Sequence, residues 1–402
     1  MTVVTQILDR MSGITKPQRK FLVTLLMTML VTRGRLNFLN LSRHSSLDEK
    51  TYRRHFQKAF DFVSFNLLSI DRAVPAQNTM LFAQDASFSA KSGKHTYGID
   101  HFWNGTASKV ERGLEVSVIS IVDLEANQAF ALSAEQTPPP LTSKKKAPAA
   151  TRLDFYLEHL ASTASHLPAA VKYGVFDGFY AKQKFVAGVL KLGYQVVSKL
   201  RSDANLLYLY EGLQKKRGRR RQYDGKVSFS DLRRFEKTSG EHAHLTLYTA
   251  LVWSVSLQVR VRVVVVVNTK DQKKPRYVVL FSTDTELSAT AIFRFYKARF
   301  QIEFFFRDAK QFAGFSDCQA RDQAALRFHF NASVTAVNVA RLIAQAEQHT
   351  KEKMVFSLAS LKQRFFNEHL LNLFIEQLEL DQSTVKNHPQ FEYLRNYAAI
   401  AA

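Results

Sequence analysis

A mixed α/β fold with helical flanks is the class the sequence predicts. Three observations carry it: a leucine- and phenylalanine-rich stretch of helical period at the start, a central alternation of short apolar strands with helices, and a return to helical period after about residue 322. The chain has 402 residues, and 46% of them are hydrophobic, enough to bury a real core and to exclude global disorder.

Residues 1–74 read as helical, with Pro17 the only proline. Phe21–Thr32 is a buried helix in this reading. Its twelve residues fall short of the ~20 a membrane span needs, and no small-residue cleavage site follows it. Asp48–Phe62 reads as one basic amphipathic helix, with Tyr52, Phe56 and Phe60 on its apolar stripe and Arg43, Lys50, Arg53 and Arg54 beside it. It serves either as a DNA-binding element or as a solvated packing face. From residue 79 the period changes. Thr79–Ala83 is a strand ending in Gln84-Asp85, followed by strands at Leu114–Val122 and Ala129–Ser133. Thr137-Pro138-Pro139-Pro140 and Lys144–Lys146 mark an exposed loop. Thr151 opens a helix, with Asp154 completing a capping box. Tyr173–Phe176 is a strand ending in Asp177-Gly178; a helix over Ala181–Leu192 and a strand over Tyr194–Lys199 follow. Strands at Thr246–Val252, Gln258–Val267 and Tyr277–Phe281 make residues 200–285 a β-rich insertion, and one long helix is expected from Ser288 to Phe312.

Lysine and arginine number 56 against 35 acidic residues, a formal charge of +21. Such an excess points to a polyanionic partner, most often nucleic acid, and away from a metabolic enzyme. The single cysteine, Cys318, excludes a disulfide framework and cysteine-ligated zinc, and it reads as inert.

The segment Tyr296–Lys310 holds the chemistry. On a continuous helix, Tyr296, Arg299, Glu303, Arg307 and Lys310 fall within about 80° of arc, while phenylalanines 295, 300, 304, 305, 306 and 312 crowd the rest. A carboxylate among three cations on a helix that greasy faces something specific, or else it forms i,i+4 ion pairs with Arg299 and Arg307. Asp85 and Asp177 each end a strand, where sites gather in α/β sheets, although either also suits a turn. Together the three carboxylates suit Mg²⁺ or Mn²⁺, two ions holding a phosphodiester between them.

The spacing Tyr296-x2-Arg299-x3-Glu303-x6-Lys310 resembles the signature of bacterial cut-and-paste DDE transposases with an RNase H-like core. So do the block from Asp85 to Gly105 and Arg112-Gly-Leu-Glu-Val. The resemblance implies an RNase H-like mixed sheet with flanking helices. It makes Asp85, Asp177 and Glu303 the catalytic metal ligands. Arg299 and Lys310 would contact phosphates near the scissile bond, and Tyr296 the backbone or a displaced base. The reaction implied is metal-dependent cleavage at the ends of an insertion element, then strand transfer to target DNA. The protein implied is a bacterial, cytoplasmic homodimer, associated with the nucleoid when bound to DNA and with no membrane partner. A non-cutting DNA-binding derivative and a nuclease without strand transfer remain alternatives.

Further DNA contacts are expected at Arg307, at Lys215, Lys216, Arg217, Arg219, Arg220 and Arg221 near the site, at Arg53 and Arg54, and at Trp103 in a polar loop suited to stacking on a base. Lys91, Lys94 and His95 follow the first aspartate closely enough to approach DNA. The expected organisation is an N-terminal helical DNA-binding region (1–76), a catalytic core in two parts (77–200 and 286–345), the insertion (201–285) and a C-terminal helical region (346–402).

Overall fold

A computed structural model describes residues 2–138, 150–239, 244–270, 276–347 and 356–400. Lys144–Lys146 lie outside the described residues.

Five helices open the chain: α1 (Val3–Asp9), α2 (Lys16–Val31), α3 (Phe38–Arg43), α4 (Glu49–Phe56) and α5 (Phe62–Ala73). Each starts at a Thr, Asn or Asp whose side chain accepts a backbone N–H of the first turn, which settles where the helix begins. The single helix expected over Asp48–Phe62 is in fact two. Asp61 accepts from Ser64 N (2.9 Å) and caps a new helix, so Phe60 falls in the break between α4 and α5.

The strands are β1 (Met80–Ala90), β2 (Asp100–Asn104), β3 (Lys109–Asp123), β4 (Gln128–Gln136), β5 (Tyr173–Val175), β6 (Gln195–Leu200), β7 (Leu206–Leu209), β8 (Tyr223–Lys226), β9 (Glu236–Ser239), β10 (Leu245–Ser254), β11 (Val259–Asn268) and β12 (Arg276–Ser282). Helix α6 (Arg152–Thr163), opened by the Thr151–Asp154 capping box, precedes β5, and α7 (Gln183–Lys191) connects β5 to β6. Strands β4, β3, β1, β5 and β6 lie side by side. Strand β3 runs antiparallel to both β1 and β4, whereas β1, β5 and β6 are parallel. This mixed sheet with helices against it is the RNase H-like core. Strand β12 pairs antiparallel with β6, so the strands between residues 206 and 282 continue the same sheet in the order β6-β12-β11-β10-β7-β8.

The remaining helices are α8 (Ala289–Ala298), α9 (Phe300–Phe312), α10 (Gln323–Glu347), α11 (Leu358–Gln377), α12 (Gln382–Lys386) and α13 (Pro389–Arg395). Helix α10 is buried along most of its length and closes the free edge of β4. Asn338 bonds both backbone groups of Ala131 (3.0 and 2.7 Å), and Asn331 both of Ala134 (3.2 and 2.8 Å). The spacing explains the fit. Seven helical residues rise about 10.5 Å, and three strand residues about 10 Å. A bulge at Leu132 turns Ala131 and Ala134 to the same edge, and the bulged carbonyl accepts from Asn66 (3.3 Å). Two amides thus stand where a neighbouring strand would. Among the described residues, no helix is long and apolar enough to cross a membrane.

Candidate active site

Asp85 lies in the middle of β1, not at its end: the strand runs on to Ala90 against β3. The parallel pairs Phe82–Gly174 and Ala83–Val175, carried two residues further, bring Asp85 level with Asp177 one strand away. Neither aspartate serves as a turn cap. Asp177 precedes the short 3-10 turn Gly178–Tyr180 without a side-chain capping bond, and its carboxylate has no hydrogen-bond or ion-pair partner among the described residues. Asp85 accepts only the neighbouring Ala86 N–H (2.9 Å).

The long helix expected over Ser288–Phe312 is interrupted. Arg299 joins α8 to α9, and i→i+3 bonds from Arg299 N to Tyr296 O (3.2 Å) and from Ile302 N to Arg299 O (3.1 Å) tighten the junction. A single helical wheel therefore does not describe the segment. The Arg299 side chain is buried, its guanidinium over the rings of Phe300 (4.7 Å) and Tyr296 (5.5 Å). It binds the Glu303 carboxylate at 2.8 Å, the first of the two ion pairs anticipated as an alternative role for Glu303. The second does not form. Arg307 turns to Asp308 (3.4 Å), which also faces buried Arg341 (3.5 Å).

Helix α9 packs against β1, and this brings the groups into one electrostatic neighbourhood. Burial pushes the Asp85 carboxyl up to about 7; Arg299 opposes the shift, while Asp177 and Glu303 add to it. Burial lowers the Lys310 ammonium, and the charge of Asp85 partly restores it. Burial also raises the Tyr296 hydroxyl, with Arg299, Asp177 and Glu303 as charged neighbours. Asp85, Asp177, Glu303, Tyr296, Arg299 and Lys310 thus share one locale. Among the described residues, however, no three carboxylate, imidazole or thiol groups are drawn into a metal-holding cluster. Glu303 is turned to Arg299 instead. The donor set still suits a hard divalent cation: Asp177 is unpaired among the described residues, and a cation beside Asp85 would favour the ionised carboxylate that burial opposes.

Two aromatic rings beside Glu303, expected on a largely buried helix, are exposed, and a third ring near the carboxylates is exposed as well. Phe300 and Phe304, either side of Glu303, are 42% and 46% exposed, and Phe179, two residues beyond Asp177, is 46% exposed. A cleft of about 520 Å³ opens on Asp177, lined by Phe179, Lys199, Arg201 and Tyr277. The sequence reading missed Lys199 and Arg201 because their place beside Asp177 comes only from the pairing of β5 with β6.

The other residues expected to contact DNA lie at several places in the fold. Residues Lys215–Arg221 form an exposed loop between β7 and β8, and β8 is six strand steps along the sheet from β5. Within that loop Arg221 pairs with Asp224 and stacks on Tyr210 (4.5 Å). Arg53 pairs with Glu49 on α4, and Arg54 is exposed. Trp103 is on strand β2 paired with Val110, not in a loop, though it is largely exposed. Cys318 has a histidine partner after all: His329, one helix on, hydrogen-bonds the thiol and draws it toward thiolate against the effect of burial.

No curated protein matches the chain. Residues 1–346 match a family model described as "Archaeal putative transposase ISC1217". The match takes in the N-terminal helices, the whole sheet and nearly all of α10, and it ends before α11. The chain therefore belongs to the DDE transposases of insertion sequences, in the family of the archaeal ISC1217 transposase.

Proposed function

We propose that this transposase cuts DNA at the ends of its element and joins the freed 3′ end to target DNA, with Asp85, Asp177 and Glu303 as the metal-binding carboxylates and Tyr296-Arg299-Glu303-Lys310 as the signature that handles the end. The observation carrying this reading is the level placement of Asp85 on β1 and unpaired Asp177 two residues past the end of the adjacent parallel strand β5, with Glu303 in electrostatic reach of Asp85. Two Mg²⁺ or Mn²⁺ ions on these oxygens would activate the attacking hydroxyl and neutralise the leaving oxygen.

The chain's own groups do the rest. Arg299 is buried, its Nε without a hydrogen-bond partner among the described residues, and its Nη1, which binds Glu303, would become a donor for phosphate if Glu303 turned to a metal. Lys310, beside Asp85, holds a second phosphate oxygen as a point charge. The exposed rings of Phe300 and Phe304 offer stacking faces for a base unpaired at the cut. Homodimerisation, needed to hold two ends together, is supported by exposed apolar side chains on the C-terminal helices and the turns after them, among them Phe374, Leu378, Tyr393 and Tyr397.

The test is nicking of duplex DNA carrying the element's terminal repeats in Mg²⁺ or Mn²⁺. Wild type is expected to nick and Glu303→Gln to bind without nicking. Equal nicking by both proteins would remove the catalytic role assigned to Glu303.

A further inference from the structure

Between the N-terminal helices and the sheet core runs a trench separate from the cleft at Asp177. Its larger part, about 1130 Å³, is lined by Arg35, Arg53, Lys91 and Arg321. It shares Arg35 and Asp317 with an adjoining part of about 380 Å³, whose lining includes Lys310.

The charges in it are not balanced from within. Its acids are Asp317 and Asp322. Asp317 accepts the backbone N–H of Leu36 (2.8 Å), and Asp322 accepts that of Ala325 (2.8 Å) at the start of α10. Neither forms an ion pair. Arg35 and Arg321 are exposed and have no carboxylate partner among the described residues. Lys91 bonds the Cys318 carbonyl, and Arg321 stands near enough to repel it. Arg53 alone has an acidic partner, Glu49. Cations that face one another without acids are unfavourable in isolation and become favourable when a polyanion lies between them.

We propose that this trench seats one phosphodiester strand of duplex DNA, which enters at Arg53, passes Lys91, Arg321 and Arg35, and reaches Lys310 beside Asp85. The inference rests on the transposase reading and adds where the duplex lies. Strand β1 sets the scale, because it carries Asp85 at its middle and delivers Lys91 six residues later. At ~3.3 Å per residue that is about 20 Å. Along the axis of a duplex, at ~3.4 Å of rise per base pair, the same length is about six base pairs, and a single nucleotide would not span it.

The experiment measures binding of the full chain to a short mixed-sequence DNA duplex by fluorescence anisotropy across a salt series. Arg35→Gln/Arg321→Gln is the informative variant, since both side chains are exposed and acid-free and the fold does not depend on them. Two lost phosphate contacts are expected to reduce the slope of log K against log salt by about 1.8 and to weaken binding at 0.1 M salt by roughly an order of magnitude per contact. Lys91→Gln, whose amide can still donate to the Cys318 carbonyl, is expected to remove about one further contact. Lys215→Gln/Arg217→Gln in the exposed loop provides the comparison, and a smaller loss there supports the trench. An Arg35→Gln/Arg321→Gln protein that binds the duplex with unchanged slope and affinity overturns the trench and leaves the transposase reading standing. If wild type binds no duplex, both fall.

Discussion

At the scale of single residues, the proposed site holds three carboxylates in three different states. Asp177 is unpaired, Glu303 is neutralised by Arg299, and Asp85 is pushed toward its protonated form. All three were legible as candidates because each has a chemical type and spacing that chemistry needs. Their states were not, since these depend on burial and on the turn of a side chain. The Asp85 shift has a consequence for stability. Its folded pKa, about 7, lies above the ordinary carboxylate value of 3.8, so the folded state holds its proton longer than the unfolded one. The contribution is fully present below pH 3.8 and is lost as pH rises through 7. Asp85→Asn should therefore stabilise the apo protein at pH 8, by at most about 4 kcal/mol, and leave it unchanged near pH 3. Thermal melts of both proteins at the two pH values check this, and equal melting at pH 8 would mean that Asp85 is not desolvated. Mg²⁺ should raise the melting temperature of wild type at pH 8 and have less effect on Asp85→Asn.

At the scale of elements, most strands and helices follow from period and turn chemistry. The Thr151 capping box and the valine-rich strand β11 are where the sequence puts them. The differences arise where a local signal competes with a long pattern. Asp61 starts a new helix inside an apparently continuous amphipathic run, and Arg299 breaks a stretch that reads as one helix. Strand β2 was missed because its apolar content is low and its pairing with β3 supplies the order. The closure of β4 by α10 was out of reach of any periodicity argument. Asn331 and Asn338 sit on a helix so buried that apolar residues would be the ordinary choice, and only the strand edge opposite explains them. Asn338→Leu should cost about 2–4 kcal/mol, because the N–H and C=O of Ala131 would be left buried and unpaired. Chemical denaturation reads this directly. A loss under ~0.5 kcal/mol would show that water or a shifted side chain replaces the amide.

At the scale of the whole molecule, the +21 charge announced a polyanion without saying where it lies. Of the basic runs conspicuous in sequence, the one among the described residues is an exposed loop at β7–β8. Lys215–Arg221 adjoins β8, six strand steps along the sheet from β5, whereas the trench cations Arg35, Lys91 and Arg321 come from three separate segments that only folding brings together. The same holds for the sheet. Residues 201–285 read as a β-rich insertion in sequence, and in the fold β12 joins their strands edge to edge with β6 of the core. Beyond the family match, α11–α13 expose large apolar side chains, and we assign them to dimer contacts. Phe374→Glu combined with Tyr397→Glu should shift the sedimentation of the DNA-bound protein from dimer to monomer. A dimer that persists would place the contact elsewhere. The central claim is that one set of three carboxylates both cuts the element end and joins it to a target. Its most direct test is the joining of a labelled, pre-cut terminal-repeat duplex to a supercoiled plasmid in Mn²⁺. Joined product is expected from wild type, with none above background from Asp85→Asn, Asp177→Asn or Glu303→Gln proteins that still bind the duplex. Joined product from any of the three at the wild-type level would contradict the account.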